Sequence, residues 1–205
     1  VTNLMIKVGR IQLYIVGILI IGFIVFGKEF IELWVGTDFE NSYYVALLLV
    51  VLGLITLTQE IASTILFVED KLKYKAILLL VSAIFSLLIS ISLAPYYGAI
   101  GVSFGIFTAI LSCHVVGMNI IYWKILKIDV FYFFKNCHLK IIPILLVTLL
   151  TGFMIQQYMP VTNLLLFFPK VLLLSFLYFV MIWFFGLNKF EKELVISVKK
   201  RISLV

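Results

Sequence analysis

The stretch YYVALLLVVLGLITLTQEIASTILFV, residues 43–68, contains a single charged side chain, Glu60, in 26 positions. A helix of roughly 20 mainly apolar residues crosses the hydrocarbon core of a bilayer. The apolar residues form a continuous run and do not alternate with polar ones, a pattern that favours a helix over a barrel strand. We therefore predict a transmembrane helix at this position.

The rest of the chain has the same character. Of its 205 residues, 64% are hydrophobic and 13% are charged, whereas about a quarter of the residues in a soluble domain are charged. The sequence therefore predicts an all-α polytopic membrane protein, a six-transmembrane-helix bundle that forms a single domain over residues 1–205. The predicted spans are 11–26, 43–68, 74–94, 99–123, 140–158 and 164–185.

The positions of Lys and Arg predict how the bundle is oriented. Basic residues cluster before the first span, in the second and fourth loops and in a tail at 186–205, and the third and fifth loops have none. Because short loops rich in basic residues stay in the cytoplasm, we expect both termini of this segment to be cytoplasmic, with the tail along anionic headgroups. The net charge of +6 is then explained by the topology. The sequence has no stripe of basic residues of the kind that binds nucleic acid.

The segment GKEFIELWVGTDFE, residues 27–40, concentrates acidic residues between the first two spans. We expect it on the outer face as a short interfacial helix between breaks at Gly27 and Gly36, with Trp34 at headgroup level. The acids are expected on the outer rim, turned to solvent. They are Glu29, Glu32, Asp38 and Glu40.

Four stretches together resemble a known family of transporters. They are FGKEFIELWVGTDFENSYYVALLL (26–49), QEIASTILFVEDKLKYKA (59–76), ISLAPYYGAIGVSFG (91–105) and IIYWKILKIDVFYFFK (120–135). In order and spacing they are similar to the C-terminal half of the O-antigen and polysaccharide flippases, in the multidrug, oligosaccharidyl-lipid and polysaccharide exporter superfamily. The last two spans match only in being apolar.

The resemblance implies one lobe of a two-lobe transporter in the bacterial inner membrane. Such a protein moves undecaprenyl-pyrophosphate-linked oligosaccharide repeat units outward by alternating access, without a cofactor. The implied partners are the lipid-linked oligosaccharide, membrane lipids, a missing N-terminal lobe of the same protein, a polysaccharide polymerase and a chain-length regulator. Because the chain begins with Val1 and shows no secretory signal pattern, we expect it to be a piece of a longer protein.

Glu60, beside Gln59, is the strongest candidate for a substrate or ion pathway. An ionised carboxylate this deep in a span costs roughly 2.5 to 3.5 kcal/mol on insertion scales, so Glu60 should face the bundle or a wet cavity, or be protonated. The alternative interpretation is structural: Glu60 pairs with a neighbouring helix, or it snorkels in a thin part of the lobe.

Two further side chains are candidates for the same pathway. Lys170, which follows Pro169 in the sixth span, could neutralise a diphosphate in the cavity, although the favoured interpretation is a lysine that snorkels to the headgroups. His114 in the fourth span could titrate near neutral pH and couple transport to protons. A lone histidine in a span is more often an interhelical hydrogen-bonding group.

Other motifs indicate packing. Gly101 and Gly105 lie four residues apart on one helical face, which permits close helix contact and does not fit a nucleotide loop. Ser82, Ser86 and Ser90 form a similar stripe on the third span. The two cysteines and two histidines fit no metal-site spacing.

The sequence shows no catalytic constellation, which argues against an enzyme. Three alternatives stay open: an ion-coupled multidrug or small-molecule exporter of the same superfamily, a membrane enzyme such as an acyltransferase or polymerase, and a membrane subunit that transports nothing.

Overall fold

The computed structural model of the chain describes residues 1–161, 163–188 and 190–193. Every element in these ranges is helical, which confirms the all-α prediction. The elements are α1 (Thr2–Trp34), a 3₁₀ turn (Thr37–Phe39), α2 (Glu40–Val51), α3 (Gly53–Thr56), a second 3₁₀ turn (Leu57–Gln59), α4 (Glu60–Val68), α5 (Leu72–Ala109), a π-helical segment (Ile110–Gly117), α6 (Met118–Lys124), α7 (Val130–Cys137), α8 (Ile142–Tyr158), α9 (Leu164–Met181) and a second π-helical segment (Ile182–Gly186).

Four helical runs are long and apolar enough to cross a membrane, and α7 with α8 adds a fifth that is bent by 44°. The run Leu72–Lys124 contains Gly98, whose φ of 56° and ψ of −133° are not helical, so the run divides into two arms there. We number the crossings in chain order. Span 1 is α1, span 2 is Thr37–Val68, spans 3 and 4 are the two arms, span 5 is α7 with α8, and span 6 is Leu164–Gly186.

The two arms lie side by side as an antiparallel hairpin. Ser90 Oγ donates a hydrogen bond to the carbonyl of Val102 at 3.0 Å across the hairpin. A Cβ on Gly101 would lie 2.6 Å from the carbonyl oxygen of Leu93, and Gly105 faces Ser90. The small residues at 101 and 105 therefore allow the close helix contact that their spacing predicts.

Span 1 is the central helix of the bundle. A Cβ on Gly9 would lie 2.8 Å from the Thr58 carbonyl of span 2, and one on Gly17 would lie 2.8 Å from the Leu145 side chain of span 5. Tyr178 of span 6 donates a hydrogen bond to the carbonyl of Tyr14 at 2.8 Å. Span 1 thus packs against span 2 on one face and against spans 5 and 6 on the other.

The outer surface of the bundle is apolar. Span 3 is the clearest case, because Leu80, Ile84, Leu88 and Ile91 form one helical stripe and are each at least 60% exposed. A stripe of this kind is unfavourable in water and suits contact with acyl chains. The prediction of a multi-pass membrane protein is confirmed at this level.

Two local predictions are wrong. Helix α1 continues through Gly27 and ends at Trp34, so residues 27–34 are the last turns of span 1 and do not form a separate interfacial helix. Gly36 does break the chain, with φ of 108°. The predicted tail also begins differently, since Glu191 is buried in the bundle. Lys189 and residues 194–205 lie outside the described residues.

Candidate functional site

A groove of about 550 Å³ lies between the first four spans, and it contains one of the predicted site residues. Most of its lining is aliphatic. Its polar side chains are Thr56 of span 2, Ser82 of span 3 and His114 of span 4. His114 lies in the π-helical segment Ile110–Gly117, and wide helical turns of this type often occur at functional sites.

Gln59 lies next to this groove and joins two spans. Its side chain is 4% exposed, and its Nε2 donates a hydrogen bond to Asn119 Oδ1 at 2.8 Å. Asn119 Nδ2 in turn donates to the carbonyl of Val115 at 2.7 Å. The geometry assigns Gln59 a packing role between spans 2 and 4.

Glu60 is the first residue of α4, directly after the 3₁₀ turn Leu57–Gln59, and it is exposed. Its carboxylate forms no ion pair with any residue that the structure describes. In the described chain Glu60 does not point into the packed interior. The other two expected placements, a wet cavity and a protonated carboxyl, stay predictions. Lys75 of span 3 hydrogen-bonds to Ser63 Oγ, one helical turn after Glu60 on α4, so a cation lies near this part of span 2.

Lys170 is fully buried, and its Nζ donates to Glu29 Oε2 of span 1 at 2.6 Å. The other carboxylate oxygen of Glu29 accepts a hydrogen bond from the Val161 backbone N–H at 3.2 Å, and Lys170 Nζ lies 5.0 Å from the centre of the Phe26 ring. Lys170 is thus neither a snorkelling lysine nor a free cation. The pair ties span 6 to span 1, because a buried charge is tolerated where it is paired.

The same pair corrects the expectation for the acids of residues 27–40. Glu29 is 12% exposed at its side chain and faces span 6, so it does not lie on a solvent-facing rim. Glu32 and Glu40 fit the expectation better, because both are partly exposed and share Lys28, at 3.9 and 2.6 Å. Asp38 is exposed.

Trp34 and Gly36 complete this end of the bundle. The Trp34 side chain is 68% exposed, and its ring centre lies 5.5 Å from that of Phe30, which in turn lies 5.6 Å from Phe167 of span 6. This aromatic row is consistent with an indole at the membrane surface that is anchored to the bundle. Gly36, with φ of 108° and ψ of 166°, makes the turn toward span 2.

The opposite end holds an ionic centre that the sequence interpretation missed. Arg10 is 6% exposed and Glu191 is 3% exposed. Arg10 Nε donates to Glu191 Oε1 at 2.6 Å, and its Nη2 donates to the Tyr14 hydroxyl at 2.6 Å and to the Gly186 carbonyl at 2.7 Å. Nη1 reaches the carbonyl of Asn136 at 3.2 Å. One guanidinium therefore joins span 1, α7, span 6 and the start of the tail.

Local sequence signals for this centre exist. Asn188 and Glu191 have the spacing of a helix cap, and Glu191 N donates to Asn188 Oδ1 at 2.9 Å while Asn188 N donates to Glu191 Oε2 at 2.8 Å. Tyr14 follows Arg10 by four residues and so shares its helical face. Neither signal identifies Arg10 as the partner of Glu191.

Together, the fold and these contacts define an α-helical polytopic membrane protein with a mid-bundle groove and a buried ion pair at each end of span 1. Comparison of the chain with family models, with curated proteins and with solved structures found no match.

Proposed function

We propose that this chain is the C-terminal lobe of a flippase that moves undecaprenyl-pyrophosphate-linked oligosaccharide repeat units across the bacterial inner membrane. The product is used for O-antigen or another surface polysaccharide. The lobe works by alternating access against an N-terminal lobe, with both termini of this segment in the cytoplasm. A polysaccharide polymerase and a chain-length regulator receive the exported units.

The observation that carries this proposal is an exposed Glu60 within span 2, the span whose residues 49–57 line one side of the groove between spans 1 to 4. An ionisable side chain that leaves the packed interior within an apolar span requires water or a second protein surface beside it. A cavity between two lobes supplies both. The resemblance of residues 20–135 to the flippases supports the same assignment.

The charge on the substrate limits how this lobe contributes. A pyrophosphate needs cations in the cavity, but Glu29 neutralises Lys170, and Lys28 is shared by two glutamates. Lys75, which hydrogen-bonds to Ser63 Oγ, adds one cation beside span 2, so the remaining cations that bind the pyrophosphate come from the N-terminal lobe. Glu60, together with His114, serves in ion or proton coupling.

The test is complementation with the chain joined to the sequence encoded upstream of it, in a strain that lacks its O-antigen flippase. Surface polysaccharide is measured on gels, and protein abundance by immunoblot. We expect Glu60→Gln and His114→Ala each to reduce export. The matched control is Glu69→Gln, a loop carboxylate paired with exposed Lys71, which should export normally. Normal export by the Glu60→Gln, His114→Ala double variant at normal abundance would remove both residues from the mechanism.

A second candidate function is an ion-coupled exporter of lipophilic small molecules from the same superfamily. The mainly aliphatic lining of the groove favours it, since an oligosaccharide offers many hydroxyl groups and the groove offers few hydrogen-bonding partners. Loss of resistance to lipophilic cations in cells that lack the protein, with surface polysaccharide unchanged, would favour the exporter over the flippase.

A further inference from the structure

Two clefts meet at the connection between span 4 and α7, away from the groove described above. One cleft, of about 430 Å³, is lined by Trp123, Lys127, Ile128 and Asp129. The other, of about 550 Å³, lies between span 4 and α7 and has a mainly apolar lining that includes Val116, Ile120, Phe131 and Phe134. Trp123 and Asp129 line both clefts, so the polar cleft and the apolar cleft lie side by side, and together they are called the groove below.

A turn with a buried residue precedes α7 and contains Lys127. Ile128 is 1% exposed, and its N–H donates a hydrogen bond to the carbonyl of Tyr122 at 3.0 Å, which closes the turn after span 4. The preceding residue, Lys127, has φ of 51° and is exposed at the polar end of the groove. Burial of Ile128 therefore fixes the position from which the lysine reaches outward.

The lining of the polar end contains one lysine and one acid, Lys127 and Asp129, and two further lysines flank it in the sequence. Lys124, Lys127 and Lys135 are exposed, and none forms an ion pair with any residue that the structure describes. Asp129 is the acid of the groove, and its Oδ1 accepts a hydrogen bond from Tyr132 N at 2.8 Å as the cap of α7. Its negative charge is partly offset by the N-terminus of that helix.

Exposed aromatic side chains mark the level at which the polar and apolar ends join. Trp123 is 62% exposed and Phe131 is 79% exposed. Aromatic rings of this kind concentrate where headgroups meet acyl chains. The groove therefore has lysines on the headgroup side of this level and aliphatic residues on the acyl-chain side.

We propose that this groove binds one anionic phospholipid, with its phosphate at Lys127 and an acyl chain along Val116 and Ile120. The charge of the lysines and the order of polar and apolar lining match an anionic headgroup above an acyl chain. The site does not depend on the proposed transport function, because it lies on the outer surface of span 4.

The test uses fluorescence quenching of Trp123 by brominated lipids. In a Trp34→Phe, Trp183→Phe background, Trp123 is the remaining tryptophan. The full chain is reconstituted into phosphatidylcholine bilayers with a fixed fraction of brominated phosphatidylglycerol or brominated phosphatidylcholine. We expect the quenching to give a binding constant for brominated phosphatidylglycerol about fivefold higher than that for brominated phosphatidylcholine. This is the order of effect of one lysine at a charged membrane surface.

Three variants and one soluble anion complete the experiment. Lys127→Asn should remove the preference, since Asn also accepts a positive φ, and Lys127→Arg should keep it. Lys73→Asn, which replaces an exposed lysine in the first turn of α5, should not change this preference. Inorganic phosphate at matched ionic strength should not displace the anionic lipid, so the quenching by brominated phosphatidylglycerol should stay the same. Equal quenching by both lipids in the background chain would overturn the proposal. So would an unchanged preference in Lys127→Asn, a loss of preference in Lys73→Asn equal to that in Lys127→Asn, or displacement of the anionic lipid by phosphate.

Discussion

Single charged residues have very different roles at the Trp34 end of the bundle. Glu29 and Lys170 are buried against each other, whereas Glu32 lies beside an exposed lysine. An unpaired charge at the buried Glu29–Lys170 pair would cost much free energy because it is desolvated. An unpaired charge at the exposed Glu32 would cost almost none. The two glutamates are three residues apart in the sequence, so the difference comes from which helical face each one occupies.

We expect Glu29→Gln to destabilise the protein by about 3 kcal/mol, because it leaves the ammonium of Lys170 buried without its counter-charge. Unfolding by SDS titration in mixed micelles measures the change. Glu32→Gln is the matched control and should stay within about 1 kcal/mol of the parent. The Glu29→Gln, Lys170→Met double variant should recover much of the loss. Equal stability of the two single glutamine variants would contradict the burial argument.

The backbone conformation of Gly36 gives a second prediction about a single residue. Its φ of 108° and ψ of 166° lie in a region that is essentially confined to glycine, so a side chain there costs about 1 to 3 kcal/mol. We expect Gly36→Val to lower protein abundance, as measured by immunoblot of membranes. Gly22→Val is the control in span 1, because no atom lies within 4 Å of a Cβ added at Gly22. Normal abundance of Gly36→Val would show that this turn tolerates another conformation.

Pairs of helices are held together by small residues and by polar bonds at particular levels. In the hairpin of spans 3 and 4, Gly101 lies against the Leu93 backbone. Span 3 otherwise leaves most of its apolar surface exposed. The hairpin therefore depends on close backbone contact between its arms, since lipid provides no hydrophobic force that would drive the arms together.

Gly101→Ala should separate the arms, because the added Cβ would lie 2.6 Å from a backbone oxygen that cannot move aside. We expect a loss of about 1 to 3 kcal/mol, the usual cost of overpacking, measured by SDS-titrated unfolding. The same substitution at Gly22, where the space is open, should be neutral or slightly stabilising through helix propensity. An equal effect at the two glycines would show that the contact does not hold the hairpin.

For the molecule as a whole, the Arg10 centre joins the first and last parts of the described chain. Its guanidinium bonds groups from four segments, and the farthest partner, Glu191, is 181 residues away. A planar fork with five N–H donors fits this set of acceptors, and an ammonium does not. The centre therefore closes the bundle at the end opposite Trp34.

We expect Arg10→Lys to destabilise the bundle by about 2 to 4 kcal/mol although it keeps the charge, because several buried acceptors lose their donor. Thermal unfolding in detergent and protease sensitivity of the C-terminal segment report the loss. Lys7→Gln is the control, since Lys7 is exposed one turn away and contacts only the Phe190 ring among the described aromatic residues. A Tm of Arg10→Lys equal to that of the parent would contradict this role.

The orientation of the whole bundle is tested by accessibility. Thr37 and Leu72 are both exposed; Thr37 begins span 2, and Leu72 begins span 3 after the turn that follows span 2. In a background with Cys113 and Cys137 replaced, we expect Thr37→Cys in intact cells to react with a membrane-impermeant thiol reagent. Leu72→Cys should react only after permeabilisation. The reverse pattern would invert the topology and place the anionic-lipid site in the other leaflet.

The helical type and the approximate positions of the apolar spans follow from the sequence alone. The apolar stretch 43–68 is an example, because it lies within the helical run Thr37–Val68. A backbone in hydrocarbon must satisfy its hydrogen bonds within its own segment, so a continuous apolar run of sufficient length has to be helical wherever it packs. The glycines at 101 and 105 were likewise predictable, because close approach depends on spacing within one helix. These properties are local to each segment.

The partners of the charged residues depend on the assembled bundle. Glu29 meets Lys170 across 141 positions, and Arg10 meets Glu191 across 181. Whether Glu60 faces the interior depends on how span 2 is rotated against spans 1 and 4. Rotation and pairing are set by the simultaneous packing of all the helices, since each contact is satisfied only when several distant segments are in place. No local sequence pattern shows which partner a charged residue will meet. The same glutamate has a small free-energy cost on an exposed helical face and a large one on a buried face.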